Sequence, residues 1–403
     1  MPRNYLIIGL KDIHVERVEN PGREKIYIIG RYQGKAECRH CLSPKVQSRG
    51  WRKRSLKHTR QGNQIVEIKL RVRKLKCHAC HRQGMQKVPH IMPWRRATEN
   101  FRMEVYEQHL GGISQSGFSK THGISGSTVE RWFWNFLEKK YSELKSRQCP
   151  IVIGIDEHFF SRKKGYATTI ADLKTHRVFD VVLGRSESSL EGYLKRLKGR
   201  DRVKVVLMDL SSTYRTIVQK YFPNAKIVAD RFHVVRLIMQ HFQKLWAQID
   251  PQGKNNRGLL KLFRTKRENL SQDQVKNLLK YFEKFPALKV IDQVQQRILE
   301  IVRVKNINKK AARELIPRFL TLVDELKNAG FPSLSTLGST LESWAEEIVR
   351  MWRFTKTNSI TEGLHTKMEM ISRRAFGFRN FKNYRLRVIV LCGADGLFNR
   401  RDV

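Results

Sequence analysis

The sequence predicts a protein of mixed α/β class, in which an α/β core is interrupted by an all-helical segment and preceded by two small basic modules. Three observations lead to this prediction. Two Cys-x-x-Cys pairs lie near the N-terminus, short apolar runs of strand length occur between Pro150 and Gln240, and a long stretch of helical periodicity follows. The predicted domains are residues 1–90, 91–148, 149–240, 241–352 and 353–403.

The charge of the chain indicates a polyanionic partner. Its 403 residues carry a formal net charge of +42, and such a field attracts nucleic acid because each neutralised phosphate releases condensed counterions. An anionic membrane surface is the competing partner on charge grounds. The apolar runs are far shorter than the ~18 residues of a spanning helix, and six cysteines in this length do not indicate a disulfide framework. We therefore expect a cytoplasmic, nucleoid-associated protein that contacts no membrane.

The two cysteine pairs predict a structural zinc site. "CRHC" contains Cys38 and Cys41, "CHACH" contains Cys77 and Cys80, and this spacing lets each pair bind one tetrahedral Zn²⁺ through two thiolates. The pairs are further apart than the usual ~15–20 residues, but the alternating segment "QIVEIKLRVRKLKC" between them predicts a hairpin that would bring them together. The alternative is four unrelated reduced thiols. Because many lysines and arginines surround the pairs, we expect a DNA-contacting module rather than only a solvated charged face.

The segment Ile113–Tyr141 predicts a helix-turn-helix. A first helix is expected over Ser114–Lys120, a turn at Gly123, and then a second helix with apolar residues at helical spacing. In this motif the second helix enters the major groove of DNA. Four polar residues at its start are the expected base contacts: Ser125, Ser127, Thr128 and Arg131. The alternative is an αα-hairpin within a core.

The segment from Pro150 to Gln240 predicts three strands, a helix, a strand, a helix and a strand, which is the order of ribonuclease H-like folds. Asp156 and Asp209 each stand where an apolar run ends, and functional sites in open α/β sheets form at strand carboxyl ends. Carboxylates held there on neighbouring strands suit two-metal phosphoryl transfer, which needs hard oxygen ligands. An aspartate after a strand is about as often a simple turn or cap residue. Glu157 should point to the opposite face if the strand continues.

Glu362, in "TNSITEGLHTKMEMISRRAFGFRN", is the candidate third carboxylate. The spacing of Ser359 and Glu362 also fits a capping box, in which side chain and backbone satisfy each other. Glu369 lies seven residues later on the same helix face and is the rival ligand. The residues alone leave these interpretations open.

These motifs resemble the DDE transposases of bacterial insertion sequences, specifically the ISL-three family. The resemblance covers nearly the whole chain and is most specific in "VLMDLSSTYRTIVQKYFPNAKIVADRFHVVRL" and "TNSITEGLHTKMEMISRRAFGFRNFKNYRLRV". It implies that Asp156, Asp209 and Glu362 hold two Mg²⁺ (or Mn²⁺) ions, with Asp230 and His233 as accessory residues. It also implies that basic residues on and after the last motif's helix hold DNA phosphates: Lys367, Arg373, Arg374 and Arg379.

The resemblance implies DNA cleavage at the ends of an insertion sequence and strand transfer into target DNA. The expected partners are the terminal inverted repeats, target DNA and further copies of the chain. Two alternatives remain: a non-catalytic DNA-binding regulator, and a ribonuclease H-like nuclease or resolvase without strand transfer. In the helical segment 241–352, we expect the tryptophans Trp246, Trp344 and Trp352 to be core residues rather than base-stacking ones.

Overall fold

The computed structural model describes residues 9–92, 94–144, 146–354 and 359–393. The chain forms two compact units, Met1–Lys140 and Tyr141–Val403. Each unit contains a mixed five-stranded sheet and helices. None of the described helices is both long and apolar enough to span a lipid bilayer.

The sheet of the first unit has the strand order β1-β2-β4-β3, with β5 also paired to β4. The strands are β1 Ile13–Gly22, β2 Lys25–Tyr32, β3 Val46–Gln61, β4 Gln64–Cys77 and β5 Gln83–Met85. Alternate residues of β4, including Val66, Ile68 and Leu70, are buried, as the period of two requires. These side chains form the centre of the unit's core.

The long β3–β4 hairpin connects the two cysteine pairs, as the sequence predicts. The strands are antiparallel, and Val46 pairs with Cys77 at the open end of the hairpin. Gly62, with φ of +58°, lies in the tight turn at the other end, where a residue with a side chain would be strained. The hairpin therefore brings Cys77 back beside the start of β3, which follows Cys41 by only a few residues.

Three helices follow in the first unit: α1 Glu99–Leu110, α2 Gln115–His122 and α3 Gly126–Leu144. The side chains of Thr98 and Ser114 cap α1 and α2 by accepting backbone N–H groups. Gly123, in the left-handed conformation, ends α2. The helices share an apolar core that includes Phe101, Phe118 and Trp132. The first predicted helix is thus present, shifted by one or two residues.

The sheet of the second unit has the strand order β10-β9-β6-β7-β8. Its elements are β6 Val152–Ser161, β7 Gly165–Asp172, β8 Arg177–Leu183, α4 Glu187–Arg196, β9 Val205–Met208, α5 Ser212–Tyr221 and β10 Lys226–Ala229. This is the order of strands and helices that the sequence predicts. The pairs β6–β9 and β9–β10 are parallel, and all four residues of β9 are buried, as in a strand covered on both faces.

Between Asp250 and Met351 the described residues form helices and turns, with no strand. The helices here are α6 Arg231–Ile249, which enters the segment, then α7 Arg257–Arg264, α8 Gln272–Lys284, α9 Pro286–Arg303, α10 Lys309–Lys327, α11 Pro332–Ser343 and α12 Ala345–Met351. Helix α6 packs on α9 and α11, and α12 packs on β10. Trp246, Trp344 and Trp352 are buried, so the expectation that they are core residues is confirmed.

The last two helices are α13 Ser359–Arg374 and α14 Phe381–Gly393. Helix α13 packs on β6, and α14 packs on β8. The chain therefore returns to the sheet of the second unit after the helical segment, and the helix that carries Glu362 packs on the strand that carries Asp156.

Candidate functional site

Asp156 and Asp209 lie on neighbouring parallel strands. Asp156 stands inside β6, which continues to Ser161, so the apolar run ends at Asp156 but the strand does not. The pairing nevertheless changes there: β6 pairs with β9 up to Ile155 and Met208, and beyond that point β7 alone continues the ladder. Asp209 is the first residue after β9. Both aspartates thus stand one position beyond the last parallel pair, on strands about 4.8 Å apart.

Asp230 adds a third carboxylate, at the end of a third strand, to Asp156 and Asp209. We call these three residues the acidic row. Ala229 pairs with Met208 in the parallel ladder, and the Asp230 backbone N–H donates to the carbonyl of Met208 at 2.7 Å. The Asp230 side chain is buried and caps α6 by accepting the Phe232 N–H at 3.3 Å. His233 Nε2 lies 3.5 Å from Asp230 Oδ2. The capping role explains why residue 230 is an aspartate. Because its strand neighbours β9, its negative charge also lies beside Asp209.

Asp209 sits in an environment that disfavours its negative charge. Its Oδ1 atom is buried and has no hydrogen-bond partner among the described residues. Burial raises the pKa of Asp209; His233 opposes this rise, and the negative charges of Glu157 and Asp230 add to it. The carboxylate faces a cavity of about 260 Å³ that is also lined by His233 and Arg236. A cation bound at Asp209 would relieve the unfavourable charge.

Helix α13 approaches β6 closely enough to contact Asp156. A Cβ on Gly154 would lie 3.0 Å from Thr361 Oγ1, so glycine is needed where helix and strand meet. One turn after Thr361, His365 Nδ1 lies 3.8 Å from Asp156 Oδ2. The buried face of α13 also carries Leu364, which holds the helix against the sheet.

The two candidate third carboxylates lie on the exposed side of α13. Glu362 stands one turn before His365 and Glu369 one turn after it, and both are exposed. Glu369 accepts a hydrogen bond from Arg373 Nη2 at 2.7 Å. Among the described residues, Asp156, Asp209 and a third carboxylate do not form a group whose oxygens all lie within 4.8 Å of one another. The predicted capping box falls on Ser359, whose side chain is outside the described residues.

A buried hydrogen-bonded network that the sequence analysis missed lies beside Asp156, on the same face of β6. Thr169 Oγ1 is 3.0 Å from both His158 Nδ1 and His365 Nε2, and His158 Nε2 is 3.0 Å from the Tyr384 hydroxyl. Burial lowers the pKa of His158 to about 3 and that of His365 to about 4. Both rings are therefore neutral at pH 7. One signal was available, because His158 follows Asp156 by two residues and so shares its face of the strand.

The four cysteines form a cluster with the dimensions of a tetrahedral metal site. Cys38 and Cys80 have their sulfurs 3.6 Å apart, as do Cys41 and Cys77, and all four sulfurs lie within 4.8 Å of one another. Zn–S bonds of about 2.3 Å imply sulfur–sulfur distances of about 3.8 Å. Backbone N–H groups of Cys41 and His40 lower the pKa of Cys38 to about 6, which favours the thiolate that binds metal.

The start of α3 presents the predicted base-contacting residues. Ser125, Ser127 and Arg131 are exposed and Thr128 is half-buried. The preceding turn is held by β3, because Lys57 Nζ donates to the carbonyls of His122 at 3.0 Å and Gly123 at 2.6 Å. The strand module and the helices of the first unit are thus joined at this turn.

The basic residues of the last motif surround an exposed aromatic ring. Arg373, Arg374 and Arg379 are exposed, and Lys367 is half-buried. Phe376 lies among them with 97% of its surface exposed and a φ of +53°, a conformation that costs a non-glycine residue about 1–3 kcal/mol. Sequence reasoning did not identify Phe376, since a phenylalanine in such a segment ordinarily indicates core.

A row of carboxylates at the ends of parallel strands, in a chain with a basic four-cysteine unit, suits the class of enzymes that process nucleic acid. Comparison with known proteins identifies the family. A model of the ISL3 (ISL-three) type, described as a transposase family, matches residues 153–388, more than half of the chain. The chain belongs to the ISL3 family of insertion-sequence transposases, and the resemblance predicted from the sequence is confirmed.

One relative extends the similarity beyond the family match. The transposase for insertion sequence element IS1001 of Bordetella parapertussis is 22% identical over 332 residues. The aligned region covers 78% of this chain and 79% of that protein. The similarity therefore includes part of the first unit as well as the second.

Proposed function

We propose that this transposase cuts DNA at the ends of its insertion sequence and joins the freed ends to target DNA. In this proposal Asp156, Asp209 and Glu362 hold two divalent ions, Mg²⁺ or Mn²⁺, in a ribonuclease H-like core. The observation that carries it is the alignment of Asp156 and Asp209, each one position beyond the last parallel pair of β6 and β9. The sheet order, with the first strand of the unit at its centre, supports the ribonuclease H-like assignment.

The acidic row fits divalent ions by its chemistry. Carboxylate oxygens are the hard ligands that Mg²⁺ prefers, and the buried Oδ1 of Asp209 offers an acceptor with no protein partner among the described residues. Bound ions would supply Lewis-acid activation of the scissile phosphate and of the attacking water or 3′-hydroxyl. The chain's own contribution is to hold the ligands on rigid strands. His233 and Arg236, which line the cavity beside Asp209, would contact a phosphate group of the DNA, and Asp230 would hold His233 in place.

The first unit would recognise the terminal inverted repeats. One Zn²⁺ bound by Cys38, Cys41, Cys77 and Cys80 would close the open end of the β3–β4 hairpin. Ser125, Ser127, Thr128 and Arg131 at the start of α3 would contact base edges in the major groove. Lys367, Arg373, Arg374 and Arg379 would contact backbone phosphates, and a homo-oligomer on DNA would bring two ends together.

The proposal is tested with a labelled duplex of the inverted repeats that flank the gene, incubated with the protein and Mg²⁺. Joined products are expected from the wild type. Asp209→Asn should bind the duplex with unchanged affinity and form no product, because one anionic ligand is lost. Asp273→Asn, an exposed aspartate on α8, is the matched control and should retain full activity. Cleavage without joining would indicate a nuclease instead, and binding without cleavage would indicate a regulator.

A second pair of variants decides the third ligand. Glu362→Gln and Glu369→Gln make the same chemical change on the same face of α13. We expect Glu362→Gln to abolish cleavage and Glu369→Gln to retain it, because Glu369 is already paired with Arg373. The opposite result would assign the third carboxylate to Glu369.

A further inference from the structure

The β6–β7 ribbon, residues Asp156–Thr169, extends past β9 on one side, and on its other side β8 borders it only as far as Thr168 and a bridge between Ala167 and Gly184. Pairing with β9 stops at Ile155, whereas β6 and β7 remain paired as far as Ser161 and Gly165. The outer half of the ribbon therefore projects past the carboxyl ends of the parallel strands, where the acidic row lies. DNA that is bound at Asp156 and Asp209 would therefore lie close enough to contact the ribbon.

One face of the ribbon carries two exposed aromatic rings. Phe159 and Tyr166 are directly opposite each other in the ladder, with ring centroids 5.6 Å apart in an edge-to-face arrangement. Phe159 is 57% exposed and Tyr166 is 39% exposed. The other face is covered, because Phe160 packs against Phe381 and Tyr384 with centroids 5.1 and 5.0 Å apart. The exposed rings are thus held on a ribbon that is anchored from behind.

Positive charge surrounds the exposed rings. The guanidinium of Arg185 lies 4.6 Å from the centroid of Tyr166, and its Nη1 is 3.3 Å from both carboxylate oxygens of Glu157. The turn of the ribbon adds three exposed cations in succession, residues 162–164, which are Arg, Lys and Lys. An apolar protein partner would have to desolvate these charges, whereas a nucleic-acid strand would neutralise them.

The aromatic face adjoins the acidic row. Phe159 is three residues from Asp156, or about 10 Å along an extended strand, which is within one or two nucleotides of a phosphate bound there. Glu157, on the same face as Phe159, lies close enough to Asp209 that its charge raises the pKa of that carboxyl. The ring face therefore adjoins Asp209, whereas the side chain of Asp156 points to the opposite face of β6.

Resting on the function proposed above, we propose that Phe159, Tyr166 and Arg185 form a stacking platform for one or two unpaired bases next to the scissile phosphate. Aromatic rings accept any base because every base has a π face, and an adjacent arginine adds cation–π attraction. Because the carboxylates of the acidic row are largely buried, a phosphate would approach them more easily from a strand that has left the duplex. Bases that stack on this platform would keep the opened strand in place.

The test uses two duplexes of the flanking inverted repeat, one fully paired and one with a two-nucleotide mismatch beside the cleavage position. Each carries 2-aminopurine, a base whose fluorescence falls on stacking, at the first mismatched nucleotide. Binding is measured without divalent metal, so that this readout does not depend on catalysis. The wild type should quench the fluorescence of the mismatched duplex. Phe159→Ala should abolish the quenching and weaken binding of that duplex by about 5- to 150-fold, the range for loss of one stacked base.

Cleavage provides the second readout. Phe159→Ala should cleave the paired duplex more slowly than the wild type, Phe159→Trp should restore the rate, and Phe331→Ala should leave it unchanged. Phe331 is a similarly exposed ring, 42%, at the start of α11. If Phe159→Ala quenches 2-aminopurine as the wild type does, the platform is refuted. A change in oligomer mass by light scattering without a change in quenching would show instead that a second copy of the chain covers these rings. If the wild type quenches but never cleaves, the platform stands and the proposed catalysis fails.

Discussion

Arg215 on α5, beside the sheet of the second unit, contacts the helical segment in three ways. Its guanidinium lies 3.6 Å from the ring centroid of Trp344 and donates to Glu347 Oε2 and to the Ser343 carbonyl, each at 2.7 Å. The side chain of Glu347 is only 6% exposed, and that of Arg215 is 24% exposed. Replacing Arg215 with methionine keeps an apolar stem of similar length and leaves the Glu347 carboxylate buried without its cation.

The expected loss of stability follows from these contacts. Removing one partner of a buried ion pair costs about 3–5 kcal/mol, and the partial exposure of Arg215 favours the lower end of that range, ~3 kcal/mol. Loss of the cation–π contact with Trp344 adds about 0.5–1 kcal/mol. A total of ~3–4 kcal/mol corresponds to a fall in Tm of roughly 6–16 °C for a unit of this size, at about 2–4 °C per kcal/mol.

Calorimetry and urea unfolding of the full chain measure this effect. Glu347→Gln removes the charge but keeps the shape, so the double variant Arg215→Met/Glu347→Gln should recover most of the loss seen in Arg215→Met. If Arg215→Met unfolds within 1 kcal/mol of the wild type, or if the double variant is as unstable as Arg215→Met, then the uncompensated charge of Glu347 is not the cause. The reasoning from burial would then be wrong.

Three further predictions concern the metal sites and one buried histidine. The wild type should contain one Zn²⁺ per chain by elemental analysis, and Cys77→Ser should contain none and should lose the cooperative unfolding of the first unit, because structural zinc contributes directly to folding. Mg²⁺ should raise the Tm of the second unit, by the equivalent of ~2.7 kcal/mol at a concentration 100 times its Kd, and Asp209→Asn should show no such rise. Burial, with the charges of Arg60 and Lys57, lowers the pKa of His122 below its ordinary 6.5. His122 therefore causes no loss of folding stability above pH 6.5, but stability falls as the pH drops towards the lowered pKa, because the unfolded chain binds a proton that the folded chain does not. His122→Leu should therefore show a shallower dependence of Tm on pH between 7 and 5.

Local patterns predicted the strands and helices of the second sheet, and the β3–β4 hairpin of the first, but not where the pairing of the strands ends. The apolar run before Asp156 ends there, because "IVIGID" is followed by Glu157 and His158, and the sequence alone left open whether the strand continues. The strand continues because β7 supplies hydrogen-bond partners as far as Ser161, and a ladder with a neighbour does not require apolar side chains. The tertiary partner, which no local window contains, decides this boundary.

The four-cysteine cluster was predictable because its information is local. Each Cys-x-x-Cys pair fixes two sulfurs in one turn, and the alternating run before Cys77 indicates the hairpin that joins the pairs. The network beside Asp156 was not predictable in this way. His158 and Tyr384 are 226 positions apart in sequence, and only the packing of α14 beside β6 brings them together.

The acidic row itself indicates function more strongly than any single residue in it. A sheet selected for stability alone would not place Asp209 beside Asp230 and Glu157, because burial and like charges both disfavour its ionised form. An ordinary cap explains Asp230, which accepts the Phe232 N–H, and a salt bridge explains Glu157, which is paired with Arg185. Neither explanation applies to the buried Oδ1 of Asp209, which has no partner in the part of the chain that the structure describes. Arg236 and His233 line the same cavity, yet within the described residues neither donates a hydrogen bond to this oxygen, so the site still favours a ligand that arrives from solution with a positive charge.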